Sequence, residues 1–259
     1  MSHVLIETVD GIATLWLNRP DLHNAFDDGL IAEVTKALDA LANDPAVRVV
    51  LLAGKGNSFS AGADLAWMKR MAGYSSAQNE ADAMALATML HRLNVLPKPT
   101  IALIQGAALG GGVGLAAACD MAIAAEDAVF ALSETRLGLI PSVISPYVIA
   151  AIGVRAARRY MLTAERFDAA KAESLGLVSA VVGADRLMVE GARLADLLRQ
   201  NGPQAVDEAK SLIAYVAGRA NDADLRAETA RRIARVRATA EGREGVAAFL
   251  EKRKPSWRG

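Results

Sequence analysis

Short apolar runs alternate with helical spacings through the first two thirds of the chain, and helical spacing alone fills the rest. Val4 to Val9 and Ile12 to Leu17 read as two strands, with Asp10-Gly11 as a two-residue hairpin turn. Asn18-Arg19-Pro20 ends the second strand. After Asp27-Asp28, apolar residues fall at Leu30, Ile31, Val34, Leu38 and Leu41. That is one face of a helix with an aspartate available as its cap. Val47 to Ala53 is a continuous apolar run that predicts a buried strand. Leu86, Met89, Leu90 and Leu93 mark a further helix, which Pro97-Lys98-Pro99 ends. Thr100 to Ile104 is the next strand.

The rhythm then recurs. Met121 to Ala125 and Ala128 to Leu132 predict short strands. A helix starts within Thr163 to Ala170 and runs toward Leu175, and Val178 to Val182 is another strand. Beyond about Asp185 only helical patterns remain, broken at Asn201-Gly202-Pro203. The expected organisation is an α/β core over residues 1–195 and a helical C-terminal region over 196–259. There is no low-complexity linker and no exact sequence repeat.

Two loops stand out against this frame. Phe59-Ser60-Ala61-Gly62-Ala63-Asp64-Leu65 follows one apolar run, and Asp64 can cap a helical stretch from Leu65 to Met71. Leu109-Gly110-Gly111-Gly112-Val113-Gly114-Leu115 follows another and leads into an apolar helix, Leu115 to Cys119. Small residues in both loops let a ligand approach backbone N–H groups. One such donor at a helix start and a second beside it suit a carbonyl oxygen that becomes negative during reaction. Close helix–strand packing is the other reading of the Gly-rich loop. It lacks dinucleotide spacing and a phosphate-loop lysine.

Composition narrows the classes. Hydrophobic residues make up 53% of the 259, which is a globular composition. Lys plus Arg and Asp plus Glu are equal at 29 each, so net charge does not favour nucleic acid or an anionic membrane. No apolar run reaches membrane-spanning length. Met1-Ser2-His3-Val4 leads straight into a strand pattern, so no signal peptide is expected. A single cysteine, Cys119, fits a reducing compartment, and the cytoplasm is the simplest expectation.

Glu134 is the candidate base. It stands just past the apolar run Phe130-Ala131-Leu132, before Gly138 and Pro141, where burial would raise its pKa and suit proton transfer. A surface capping glutamate is the alternative. His3, His23 and His91 show no metal-ligand spacing, so no metal is expected. Cys119 and Asp120 read as structural, and Ser145 lacks the context of a catalytic serine. Trp67, Met68, Met71 and Tyr74 are either core or a wall over an acyl pocket. Arg226, Arg231, Arg232, Arg235 and Arg237 form a basic helical face, read as a solvated or subunit-contact face.

Taken together, these segments resemble the enoyl-CoA hydratase/isomerase (crotonase) family. The resemblance rests on the Phe59–Leu65 loop, Gln105 to Asp120, and Ser133-Glu134 with Leu137-Gly138 and Ile140-Pro141. It also rests on Asn18-Arg19-Pro20 with Asn24-Ala25, and on Ala248 to Arg253, so it covers essentially the whole chain in order. It implies an α/β fold, a crotonase-like spiral of strand-strand-helix turns, with C-terminal helices that build trimers or dimers of trimers. It implies an acyl-CoA thioester substrate, with coenzyme A as part of the substrate and no separate cofactor.

The thioester oxygen would sit between the N–H groups of Ala63 and Gly111, with Glu134 as acid/base. Leu22, Ala25, Ala61, Asp64 and Leu65 match positions that line the CoA moiety. Phe249 and Lys252 match positions that reach a neighbouring subunit's CoA. Where the family often has a lysine after Arg-Pro, this chain has Asp21. Where typical hydratases carry a second glutamate, two residues after the Gly triplet, it has Gly114. Hydration of a 2-enoyl-CoA is the leading expectation, and a one-glutamate double-bond isomerase is the alternative. A non-catalytic acyl-CoA-binding protein is the second alternative. Ala66 to Met71, Leu139 to Tyr147 and Arg158 to Phe167 look most like the bacterial methylglutaconyl-CoA hydratase-like group. That implies a branched acyl chain, whose distal carboxylate would meet Lys69 or Arg70.

Overall fold

Strands β1 (Val4–Val9) and β2 (Ile12–Leu17) pair antiparallel around Asp10-Gly11, both of which take positive φ as a tight hairpin requires. The structure, a computed structural model, describes residues 2–258. Helix α1 (Asp28–Asn43) follows, capped by Asp27 and burying the apolar stripe from Leu30 to Leu41. Next come β3 (Val49–Gly54), α2 (Leu65–Met71), α3 (Ser76–Asn94), β4 (Thr100–Ile104), β5 (Ala107–Leu109) and α4 (Gly111–Ala118). Then β6 (Met121–Ala125), β7 (Val129–Ala131), α5 (Ser145–Thr163), β8 (Phe167–Asp168), α6 (Ala169–Leu175) and β9 (Ala180–Val182) complete the strands. The chain finishes through α7 (Leu187–Arg199), α8 (Pro203–Val216), α9 (Ala223–Ala238) and α10 (Ala240–Leu250).

The strands divide between two sheets, and the division repeats. The large sheet runs β1-β2-β3-β4-β6-β9, parallel everywhere after the hairpin. The small sheet runs β5-β7-β8, and a parallel bridge between Ser60 and Ala108 extends it by one rung. Each turn places its first strand in the large sheet and its second segment in the small one, then crosses back by helix. The turns are thus β3–Ser60–α2, β4–β5–α4 and β6–β7–α5. This is the expected spiral.

Alternation along the large-sheet strands fills two cores. Val50, Leu52, Ala102, Ile104, Ala122 and Ala124 face the helices of the spiral. Val49, Leu51, Ala53, Ile101, Leu103, Ile123 and Ala125 face α7, through Leu187 and Ala195. Gly191 of α7 lies so close to Leu103 that a Cβ there would come within 2.8 Å of it. The boundary expected near residue 195 therefore falls inside a helix packed on the sheet. The helices that stand off the sheet begin at Pro203.

Other boundaries move for local reasons. Helix α4 starts at Gly111 rather than Leu115, because the glycines themselves form its first turn. Strand β9 starts at Ala180, since the Ser179 amide instead turns to donate to the Ala122 carbonyl at 2.7 Å. No helix among the described residues is long and apolar enough to cross a membrane.

Leu103 is fully buried between the sheet and α7. Leu103→Ala is expected to cost about 2–5 kcal/mol of stability, read by equilibrium chemical denaturation.

Candidate active site

Three neighbouring rungs of the small sheet end at one place. Ser60, β5 and β7 lie side by side and parallel, and the chain leaves each rung at its carboxyl end. The next residues are Ala63, then Gly110 and Gly111, then Glu134. Carboxyl ends of parallel strands are where such folds present ligand sites. By sequence, each loop follows an apolar run that reads as a core strand. In the structure each loop instead follows a rung of the smaller sheet, whose strands are only two or three residues long.

Backbone bonding orients the first donor. Phe26 and Ala63 form an isolated parallel bridge: the Phe26 amide donates to the Gly62 carbonyl at 2.6 Å, and the Asp64 amide to the Phe26 carbonyl at 2.8 Å. When both neighbours of Ala63 bond to Phe26, the N–H of Ala63 itself points the other way. Ala63 is exposed there. The second donor is a helix start: Gly111 is the first residue of α4, whose opening amides have no partner within the helix. Among the described residues neither amide has a protein acceptor.

Phe26 ties the pair together. Its backbone holds Ala63, and its ring lies against Gly111, where a Cβ would come within 2.9 Å of Cε2. Between the loops, a Cβ on Gly112 would come within 2.6 Å of the Ser60 carbonyl oxygen. Gly110 has φ +50, which a side chain resists.

Glu134 lies beside Gly110, the residue before the second donor. It begins a 3-10 turn, Glu134–Leu137, and its Oε1 lies 2.9 Å from where a Cβ on Gly110 would be. Its Oε2 is buried with no hydrogen-bond partner. Burial pushes its pKa up, and its own backbone amide only partly offsets that. A surface capping role is therefore not what the structure shows, because Oε2 is buried and unpartnered.

Gly114 stands one helical turn below Gly110, on the same face of α4. Ile144, just ahead of α5, fills the space over it. A Cβ at 114 would clash with the Ile144 side chain, lying 2.8 Å from its Cβ. Ile144 is β-branched and 3% exposed, so it has little freedom to yield. The position expected to hold a second carboxylate in typical hydratases is closed by an aliphatic side chain.

The residues expected to line CoA divide into two groups. Leu22, Ala25, Ala61, Asp64 and Leu65 are brought together, because the Ala61 amide donates to the His23 carbonyl at 2.9 Å beside the Phe26–Ala63 bridge. Leu22 and Leu65 are exposed, whereas Ala25 and Asp64 are buried. The Asp64 carboxylate points inward. It accepts from the Ala66 and Trp67 amides at 2.7 and 3.0 Å and pairs with Arg19 at 3.2 Å. Phe249 and Lys252 stand apart at the end of α10, which packs on α8 and α9. Phe249 is 82% exposed.

The remaining candidates have structural partners. Asp120 accepts from the Thr100 amide and hydroxyl and pairs with Lys210 at 2.9 Å. Cys119 is buried, and burial pushes its thiol up to about 12. His3 lies beside Glu33, and His23 shares a hydrogen bond with Ser58. Ser145 donates to the Ser142 carbonyl at the start of α5. Trp67 is core, with its indole N–H on Asp82 at 3.2 Å. Arg70 pairs with Asp28. Arg231 and Arg232 pair with Glu228, and Arg235 with Glu208, so much of the basic face is neutralised within the chain. The sequence reading missed the roles of Phe26 and Ile144. Both look like ordinary core residues until the fold is known.

A family profile described as enoyl-CoA hydratase/isomerase matches residues 7–259. The crystal structure of an enoyl-CoA hydratase from Shewanella pealeana is 45% identical, with a TM-score of 0.96 over 98% of this chain and 96% of that one. A 2,3-dehydroadipyl-CoA hydratase from Escherichia coli is 32% identical over the full length of both chains. A crotonyl-CoA hydratase from Syntrophomonas wolfei is 34% identical over 98% of this chain and 97% of its own.

The buried carboxyl of Glu134 has a sign that can be checked. Its folded pKa is raised, so its contribution to stability is full below the ordinary glutamate value and is lost as pH rises through the folded pKa. Glu134→Gln removes that loss. The melting temperature of the variant relative to the parent is expected to be higher at pH 8 than at pH 4, read by thermal unfolding at both.

Proposed function

The chain belongs to the enoyl-CoA hydratase/isomerase family, and from that premise we propose that it adds water across the 2,3 double bond of an enoyl-CoA thioester. It is then a hydro-lyase with a 3-hydroxyacyl-CoA product. The observation that carries the reading is the convergence of two unpaired backbone amides with one desolvated carboxylate. In this reading the thioester oxygen lies between the N–H groups of Ala63 and Gly111. Each donor is worth about 3 kcal/mol to an enolate-like intermediate.

Glu134 takes a proton from water as the water oxygen bonds to carbon 3. The double-bond electrons move onto the thioester oxygen. Glu134 then returns the proton to carbon 2, and the carbonyl re-forms. Its raised pKa suits a group that must both accept and return a proton.

One observation favours a second reading. Because Ile144 closes the space over Gly114, Glu134 works without a second carboxylate at that position. A single glutamate can instead carry a proton from carbon 2 to carbon 4 of a 3-enoyl-CoA, which is isomerisation.

The other parts of the proposal have separate supports. Leu22, Ala25, Ala61, Asp64 and Leu65 flank the CoA moiety, and the exposed Phe249, with Lys252, reaches a neighbouring subunit's CoA. The assembly is a trimer or dimer of trimers, supported by exposed Ile213, Phe249 and Leu250 on the C-terminal helices. The distal carboxylate of a branched, methylglutaconyl-like acyl chain would meet Lys69 or Arg70, both of which are exposed. Cytoplasmic residence is supported by the single cysteine.

Glu134→Gln is expected to lower kcat by about 10²–10⁴-fold while acyl-CoA binding persists. Turnover near that of the parent would remove Glu134 from the mechanism. Incubation with a 2-enoyl-CoA is expected to yield a product heavier by one water. Turnover of a 3-enoyl-CoA to an equal-mass isomer, with no hydration, would establish the second reading instead.

A further inference from the structure

The Arg19 guanidinium clamps the two segments that form the Phe26–Ala63 bridge. Its Nη2 pairs with Asp27 Oδ2 at 2.8 Å and donates to Asp64 Oδ2 at 3.2 Å, and its Nη1 donates to the Ala25 carbonyl at 2.6 Å. Asp27 and Asp64 directly follow the two bridge residues. Each aspartate divides its oxygens the same way. Asp27 Oδ1 accepts from the Leu30 amide at 2.8 Å to cap α1, and Asp64 Oδ1 accepts from the Ala66 and Trp67 amides to cap α2. The second oxygen of each goes to Arg19. The side chains of Arg19, Asp27 and Asp64 are 11%, 16% and 10% exposed, so water screens the cluster weakly.

This arrangement does two things to the Ala63 amide. It locks the bridge that turns the N–H outward, one residue away on each side. It also offsets one of the two carboxylate charges that would otherwise oppose negative charge developing beside Ala63.

We infer that Arg19 is a positioning residue: through Asp27 and Asp64 it aims the Ala63 amide at the substrate carbonyl and halves the negative charge of the two carboxylates beside it. The inference rests on the thioester reading above. It extends to a residue with no contact of its own to the reacting atoms.

The test reads the carbonyl directly. Butyryl-CoA carrying ¹³C at its thioester carbon is bound to the full-length protein, and the carbonyl stretch is recorded by infrared difference spectroscopy. The parent is expected to shift the band to lower frequency. Arg19→Met is expected to lose at least half of that shift. Its kcat on a 2-enoyl-CoA should fall about ten- to a hundredfold, with butyryl-CoA affinity within a few-fold of the parent. Asp64→Asn keeps an N-cap oxygen but weakens the ion pair, so it tests the same point if Arg19→Met fails to fold. It should lose part of the shift and part of kcat. A shift and kcat within twofold of the parent in the folded variants would overturn this inference alone. A parent protein that binds the thioester without shifting its carbonyl would overturn the thioester reading along with it.

Discussion

Backbone stacked directly on backbone, turn over turn of the spiral, is the constraint from which the site follows. The Ser60 amide donates to the Ala107 carbonyl at 3.0 Å, and the Leu109 amide donates back to the Ser60 carbonyl at 2.9 Å. Gly112 lies under that same carbonyl with no room for a Cβ, and Gly106 is similarly pressed on the Asn57 carbonyl. A side chain at either place would push the turns apart. The ends of the small-sheet rungs would then spread, and Ala63, Gly111 and Glu134 would no longer share one mouth. Catalytic geometry in this fold is a consequence of packing at close range.

Two carboxylates near that mouth are driven in opposite directions, and the difference assigns their work. Burial acts to raise both. For Asp64 the Trp67 and Ala66 amides and Arg19 outweigh burial, and the pKa falls. For Glu134 nothing comparable is present, Oε2 has no partner, and the pKa rises. Asp64 is thereby a fixed charge that anchors a helix, and Glu134 is a group ready to exchange a proton. Ile144 keeps the neighbouring position on α4 apolar, so the proton chemistry falls to one side chain.

Much of the fold was legible along the chain. The hairpin at Asp10-Gly11, the Asp27 and Asp64 caps, the buried run that became β3 and the late change to helices all rest on local rules. They depend on which residues tolerate positive φ, which oxygens cap amides, and how apolar positions repeat. The candidate base was legible by place alone, as a carboxylate just past an apolar strand. Other parts were not. Strand β5 has only three residues, too short for a period to show. Helix α5 begins at Ser145 without a side-chain cap and is interrupted at Gly153, so no continuous stripe marks it.

By itself, then, the sequence determined most of the elements, the two donor loops and the glutamate, because those depend on residues within a few positions of one another. Only the tertiary structure decided that the loops end neighbouring rungs of the small sheet, that Phe26 joins Ala63 to Gly111, and that Ile144 occupies the space over Gly114. It alone gave Arg19 two aspartates to hold. The Arg19–Asp27 pair aside, those facts depend on contacts between residues tens of positions apart. Such contacts are set by how closely whole turns of backbone pack, and local propensity carries no record of that distance.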